Sequence, residues 1–185
     1  PGMLNRVQRM VLTAPLLSFR RSRVSSRTQR RLNALLTYLG FGRRYLGGGP
    51  RPREAAPFSD NKLTSDQKRY ARNQRIYAEH PSLALGGPTV AWVYAALRAM
   101  SRLEDPEFLA RIHVPTLIVA AGADEVVSNA AIDALSRRLR SGSLLTIDGA
   151  QHEIMQEADL YREQFLAAFD AFVPGSDSSA SLVSS

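Results

Sequence analysis

The run Thr116-Leu-Ile-Val-Ala-Ala121, closed by Pro115 before it and Gly122 after it, limits the fold more than any other stretch of the chain. A strand with one wet face alternates apolar and polar residues. This run does not, so it reads as a short strand covered on both faces, the kind found in parallel sheets. Asp124 stands in the loop just beyond it. A helical pattern follows and ends in Arg137-Arg138-Leu139-Arg140, with Ser141-Gly142 as its stop. A second apolar strand is expected at Leu144–Ile147, with His152 in the loop after it. Two parallel strands, each with a loop at its end, bring one carboxylate and one imidazole to the same edge of a sheet. In open α/β sheets that carboxyl edge is where ligands bind.

A carboxylate facing an imidazole is two-thirds of a hydrolytic triad. The acid fixes the imidazole's tautomer and stabilises the imidazolium, while the base removes a proton from a nucleophile and returns one to the leaving group. Asp124 is therefore the expected acid, with Glu125 as the fallback, and His152 the expected base. A serine nucleophile would sit on a Gly-x-Ser-x-Gly turn upstream of both. No such pentapeptide occurs in the 185 residues, and neither does a Gly-rich oxyanion segment. His80 and His113 read as incidental; His113 lies at the entrance to the strand, the wrong edge for chemistry. Three widely separated histidines and no cysteine suggest no metal site, and no cofactor is expected.

The rest of the chain is read around these two strands. Arg9 to Ala14 forms another strand candidate, closed by Pro15 and preceded by the end of a helix. The sheet then pauses until Val114, an interval too long for a structureless loop in a compact domain. Within it, Leu32, Leu35, Leu36 and Leu39 form the stripe of a helix over residues 20–39, stopped by Gly40. Gly47-Gly48-Gly49-Pro50 reads as a connector rather than a phosphate cradle, because no strand leads into it and the spacing is wrong. A second helix should run through Ala78 with Thr64 or Ser65 as its cap, and a third from Val90 to Met100. Trp92 on that third helix reads as core rather than as the wall of an acyl pocket. After His152 a last helix, Asp159 to Phe172, carries Tyr161, Phe165, Phe169 and Phe172 on one face.

Charge is unevenly spread. Residues 1–60 hold 12 Lys or Arg against 2 Asp or Glu, whereas residues 121–185 hold 4 against 10. The basic half would suit phosphate, nucleic acid or an anionic membrane surface, although an Arg-rich solvated surface is the plainer reading. Nucleic acid is disfavoured, since no aromatic-plus-basic recognition motif accompanies the arginines. No apolar run approaches the roughly 20 residues of a membrane span.

These residues together resemble a family. Val-Pro-Thr-Leu-Ile-Val-Ala-Ala-Gly-Ala-Asp and Gly-Ala-Gln-His-Glu-Ile are similar to the acid strand and histidine loop of α/β-hydrolases. Arg-Met-Val-Leu-Thr-Ala-Pro is similar to the strand that follows the nucleophile helix. Asn-Lys-Leu-Thr-Ser-Asp and Gly-Gly-Pro-Thr-Val-Ala-Trp resemble cap motifs of bacterial lysophospholipase and monoacylglycerol-lipase-like members. The resemblance spans nearly all of residues 3–173. It implies an α/β-hydrolase fold, here the C-terminal part of the mainly parallel sheet with a helical cap insertion, the first strands and the nucleophile elbow being absent. It further implies a Ser-Asp-His carboxylic ester hydrolase acting on acyl esters or lysophospholipids, with Asp124 as acid, His152 as base and the serine on an upstream segment. The expected organisation is a core strand with its flanks at 1–18, the cap at 19–108, core α/β structure at 109–173 and a disordered Ser-rich tail at 174–185. On this view the 185 residues alone are inert. The open sheet edge calls for the N-terminal half of the same protein as partner, and the location is cytoplasmic or peripheral to a membrane. Epoxide hydrolases and dehalogenases share the histidine loop and stay open as alternatives, as does an inactive relative serving as a binding module.

Overall fold

The computed structural model describes residues 7–19, 24–46 and 57–174. The expected glycine connector, most of the Ser-rich tail and the helix end before residue 7 lie outside them. The described chain is an α/β fold. In chain order it contains β1 (Met10–Thr13), α1 (Ser26–Tyr38), α2 (Gln67–Glu79), α3 (Val90–Arg102), α4 (Pro106–Ala110), β2 (Thr116–Ala121), α5 (Asn129–Ser136), β3 (Gly142–Ile147) and α6 (Asp159–Phe172).

The strands form one parallel sheet in the order β1-β2-β3. Met10 stands opposite Thr116 on one side, and Thr116 opposite Gly142 on the other. All six residues of β2 are buried. Their side chains alternate between two apolar layers, as the two-residue period of a strand requires. Ile118 and Ala120 join Ala14, Leu109, Val127, Ile132 and Leu135 on one face. Leu117, Val119 and Ala121 join Ile147, Ala150, Ile154 and Phe165 on the other. Helix α6 covers that second face with the aromatic stripe expected of it: Phe165 is buried, and Tyr161, Phe169 and Phe172 pack around it.

Helices α1 and α3 pack against each other in the interval between β1 and β2. A short antiparallel bridge, Tyr45 to Thr89, ties the turn after α1 to the start of α3. Small side chains permit the approach. A Cβ on Gly42 would sit 3.3 Å from Thr37 Cγ2 and 3.4 Å from Ala91 Cβ.

Several local expectations change. Helix α1 begins at Ser26, capped by the Ser25 hydroxyl, instead of at residue 20. Its buried residue is Asn33, while Leu32, Leu35 and Leu39 are exposed. The leucines do lie on one stripe, but α1 packs on α3 through a different side, and the stripe faces outward. Trp92 is half exposed at 51% and is not core. Asp66 caps α2, accepting from Arg69 N at 2.9 Å, and the hydroxyls of Thr64 and Ser65 are engaged elsewhere. Helix α5 stops at Ser136, so Arg138 and Arg140 lie beyond its end. Strand β3 starts two residues before Leu144, and Leu144 itself is exposed.

Candidate active site

Asp124 and His152 meet at the carboxyl edge of the sheet. Strand β2 ends at Ala121 and β3 at Ile147, and the loops after them are stitched together by backbone bonds. Gly122 N donates to Ile147 O at 2.9 Å, and Ala123 N donates to Ala150 O at 2.9 Å. Gly122 is required here, because a Cβ at that position would fall 2.9 Å from Asp148 Cα and 3.0 Å from Ile147 O. Gly149 turns the second loop with φ of +81°, a conformation that L side chains rarely adopt, under the Tyr161 ring.

The Asp124 carboxylate is 2% exposed and fixed from both ends. Oδ1 accepts from Val126 N at 2.7 Å and Val127 N at 3.0 Å. That leaves Oδ2 aimed at His152 Nδ1, 2.8 Å away. A carboxylate only accepts, so Nδ1 carries the hydrogen and Nε2 is the basic nitrogen. Among the described residues Nε2 has no hydrogen-bond partner, and the His152 side chain is 24% exposed. The pair can therefore take up a proton from solvent or from a group placed over the sheet edge.

The remaining expected residues fall elsewhere. Glu125 turns away to the surface and pairs with Lys62 at 3.1 Å, so Asp124 and not the fallback acid faces the imidazole. His80 ends α2, and exposed His113 precedes β2 at the opposite end of the sheet. Among the described residues no group of His, Asp and Glu could hold a metal ion.

One buried carboxylate was not anticipated. Glu157 is fully buried, five residues after His152. Its Oε1 accepts from Gln151 N at 2.7 Å. Its Oε2 accepts from Ser65 N at 3.0 Å, from the Ser65 hydroxyl and from Ala158 N at 3.1 Å. Nearby, Thr64 Oγ1 donates to Gln156 O at 2.7 Å and Glu153 N donates to Leu63 O at 2.7 Å. Arg69 on α2 donates to Glu157 O and to Asp159 Oδ1 at 2.5 Å. That bond to Asp159 raises the Arg69 guanidinium above its ordinary value and holds the Asp159 carboxyl below its own. The signal in the sequence was faint: Thr64 and Ser65 read equally well as a helix cap, and nothing local tied them to a residue so far along the chain.

Comparisons with known proteins bear on the family and the fold. A family profile described as serine aminopeptidase, S33 matches residues 3–159. Lysophospholipase L2 of Escherichia coli K12 is 33% identical over 184 residues, covering 93% of this chain and 51% of that protein. A probable lysophospholipase L2 of Haemophilus influenzae is 32% identical over 139 residues, covering 75% of this chain and 44% of that one. The chain thus spans about half the length of these curated relatives. Among solved structures, a soluble variant of monoglyceride lipase from Saccharomyces cerevisiae superposes with a TM-score of 0.60 at 17% identity, over 87% of this chain and 54% of that one. At that identity the likeness establishes the α/β-hydrolase fold.

Proposed function

The chain belongs to the serine aminopeptidase S33 family, an α/β-hydrolase family, and from that membership we propose that it carries the acid and base of a carboxylic ester hydrolase acting on lysophospholipids or monoacylglycerols. The observation that supports the reading best is the 2.8 Å contact between His152 Nδ1 and the buried Asp124 carboxylate. It leaves Nε2 as the proton acceptor, facing the edge where substrates of such sheets bind.

In the proposed reaction a serine outside these 185 residues attacks the ester carbonyl. His152 Nε2 takes the serine's proton as the new C–O bond forms, then gives it to the departing alcohol oxygen. Water next attacks the acyl-serine ester. His152 removes the water's proton and returns it to the serine, releasing the fatty acid. Asp124 holds the imidazole in the needed tautomer and stabilises its positive charge. The helices of residues 19–108 would cap the acyl chain. Helix α1 presents exposed Arg27 and Arg31 beside exposed Leu32, Leu35, Tyr38 and Leu39, a pairing of cations and apolar side chains that suits a lipid surface.

A fluorophosphonate probe tests the reading. The full-length protein should be labelled at a serine upstream of residue 1, and Asp124→Asn should slow ester turnover by roughly three to four orders of magnitude. The 185 residues on their own should neither label nor hydrolyse ester. A full-length protein that resists the probe, or that keeps its labelling after replacement of that serine, would overturn the proposal. Resistance is also the outcome expected of an aspartate nucleophile or of an inactive relative.

A further inference from the structure

We infer that Glu157 is a positioning residue for His152, and that through it the segment around Leu63–Arg69 is built into the histidine loop. The inference rests on the hydrolytic reading of the site only in giving His152 a reaction to serve.

The backbone on either side of His152 is held by a different anchor. The N–H of the preceding residue, Gln151, donates to Glu157 Oε1 at 2.7 Å. The N–H of the following residue, Glu153, donates to Leu63 O at 2.7 Å. The second oxygen of Glu157 accepts from Ser65 N at 3.0 Å and from the Ser65 hydroxyl. One buried carboxylate therefore ties the histidine loop to a segment that lies 92 residues earlier in the chain. A few more bonds tighten the joint. Thr64 Oγ1 donates to Gln156 O at 2.7 Å, and Arg72 Nη2 donates to Gln156 Oε1 at 2.6 Å. Lys62, in the same segment, reaches across to Glu125 at 3.1 Å, beside the acid. The segment thus touches both loops that carry the Asp124–His152 pair.

The chemistry of the carboxylate makes it hard to replace. Both oxygens accept, and N–H donors approach both. A glutamine has nearly the same shape but turns one of those oxygens into an NH2. That group would face either Gln151 N–H or the Ser65 and Ala158 donors, leaving a buried donor unpaired. The side with least to lose would yield, and a shift at Gln151 moves the residue next to His152.

Two readouts in the full-length protein test this. With Glu157→Gln, the His152 Nδ1–H proton seen by NMR should exchange with solvent faster than in the parent. Ester turnover should lose roughly ten- to a hundredfold in kcat with KM nearly unchanged, as expected for a misplaced base. Ser65→Ala, which removes one donor from the other side of the clamp, should shift both readouts in the same direction by less. A purely structural role would lower the melting temperature and leave the Nδ1–H exchange rate of the folded protein as it was, and that result would overturn the inference. If Glu157→Gln does not fold, the exchange rate in Ser65→Ala decides alone. Failure of the hydrolytic reading would show separately, as a parent protein that does not react with a fluorophosphonate while its Nδ1–H signal still responds to both variants.

Discussion

At Gly122 the distance between two loops is set by the absence of a side chain. A Cβ there would press on Asp148 Cα, Ile147 O and Gly149 N at 2.9, 3.0 and 3.2 Å, all of them backbone atoms that cannot swing aside. Gly122→Ala should therefore cost about 1–3 kcal/mol in urea unfolding, the range for forcing an extra carbon into a packed site. The neighbouring bond from Ala123 N to Ala150 O should weaken with it, since the acid loop must back away from the histidine loop. An unchanged midpoint would mean that the loops have slack between them. The same scale explains what could be read from residues alone. Asp124 and His152 were legible because each follows a short apolar strand, and strand ends place side chains predictably. Glu157 was not. Its partners are contributed by Ser65 and Gln151, and no local spacing advertises a bond between them.

Among the elements, β2 was legible almost to the residue because a strand covered on both faces needs an unbroken apolar run, and its bounds are Pro115 and Gly122. Helix α6 was legible for a similar reason: its aromatic residues recur on one face and have one sheet to meet. Helices α1 and α3 were harder. Their apolar residues exceed what their mutual contact can cover, so periodicity marked them as helices without saying which side is dry. The joint between α2 and α6 yields a pH prediction. Arg69 holds the Asp159 carboxyl below its ordinary value, chiefly by their hydrogen bond. A carboxyl depressed in the fold lends stability above the ordinary carboxylate range and loses it as pH falls through the depressed value. Asp159→Asn should then lower the melting temperature slightly at neutral pH, with the difference closing in strong acid. Asp159 is largely exposed, so the effect should be small and should shrink further in high salt. A difference between the two proteins that grows toward low pH would contradict the assignment.

Across the whole molecule the charge is divided. The first 60 residues carry a net +10 and the last 65 a net −6, so the helices between β1 and β2 begin in a cationic stretch while the histidine loop and α6 are acidic. Among the described residues no helix is long and apolar enough to cross a membrane. The proposed contact of the cationic, leucine-bearing face of α1 with a bilayer would put the arginines at the headgroups and Leu32, Leu35 and Leu39 at the acyl boundary. The two contributions separate experimentally. Each basic side chain at an anionic surface is worth about 1 kcal/mol, so replacing Arg27 and Arg31 together by alanine should weaken binding to phosphatidylglycerol vesicles by about thirtyfold. Binding should fall as salt rises from 0.1 to 0.5 M, whereas replacing Leu35 and Leu39 by serine should weaken it at every salt concentration alike. Equal binding to phosphatidylglycerol and phosphatidylcholine vesicles, indifferent to both pairs of substitutions, would reduce this face to a solvated surface.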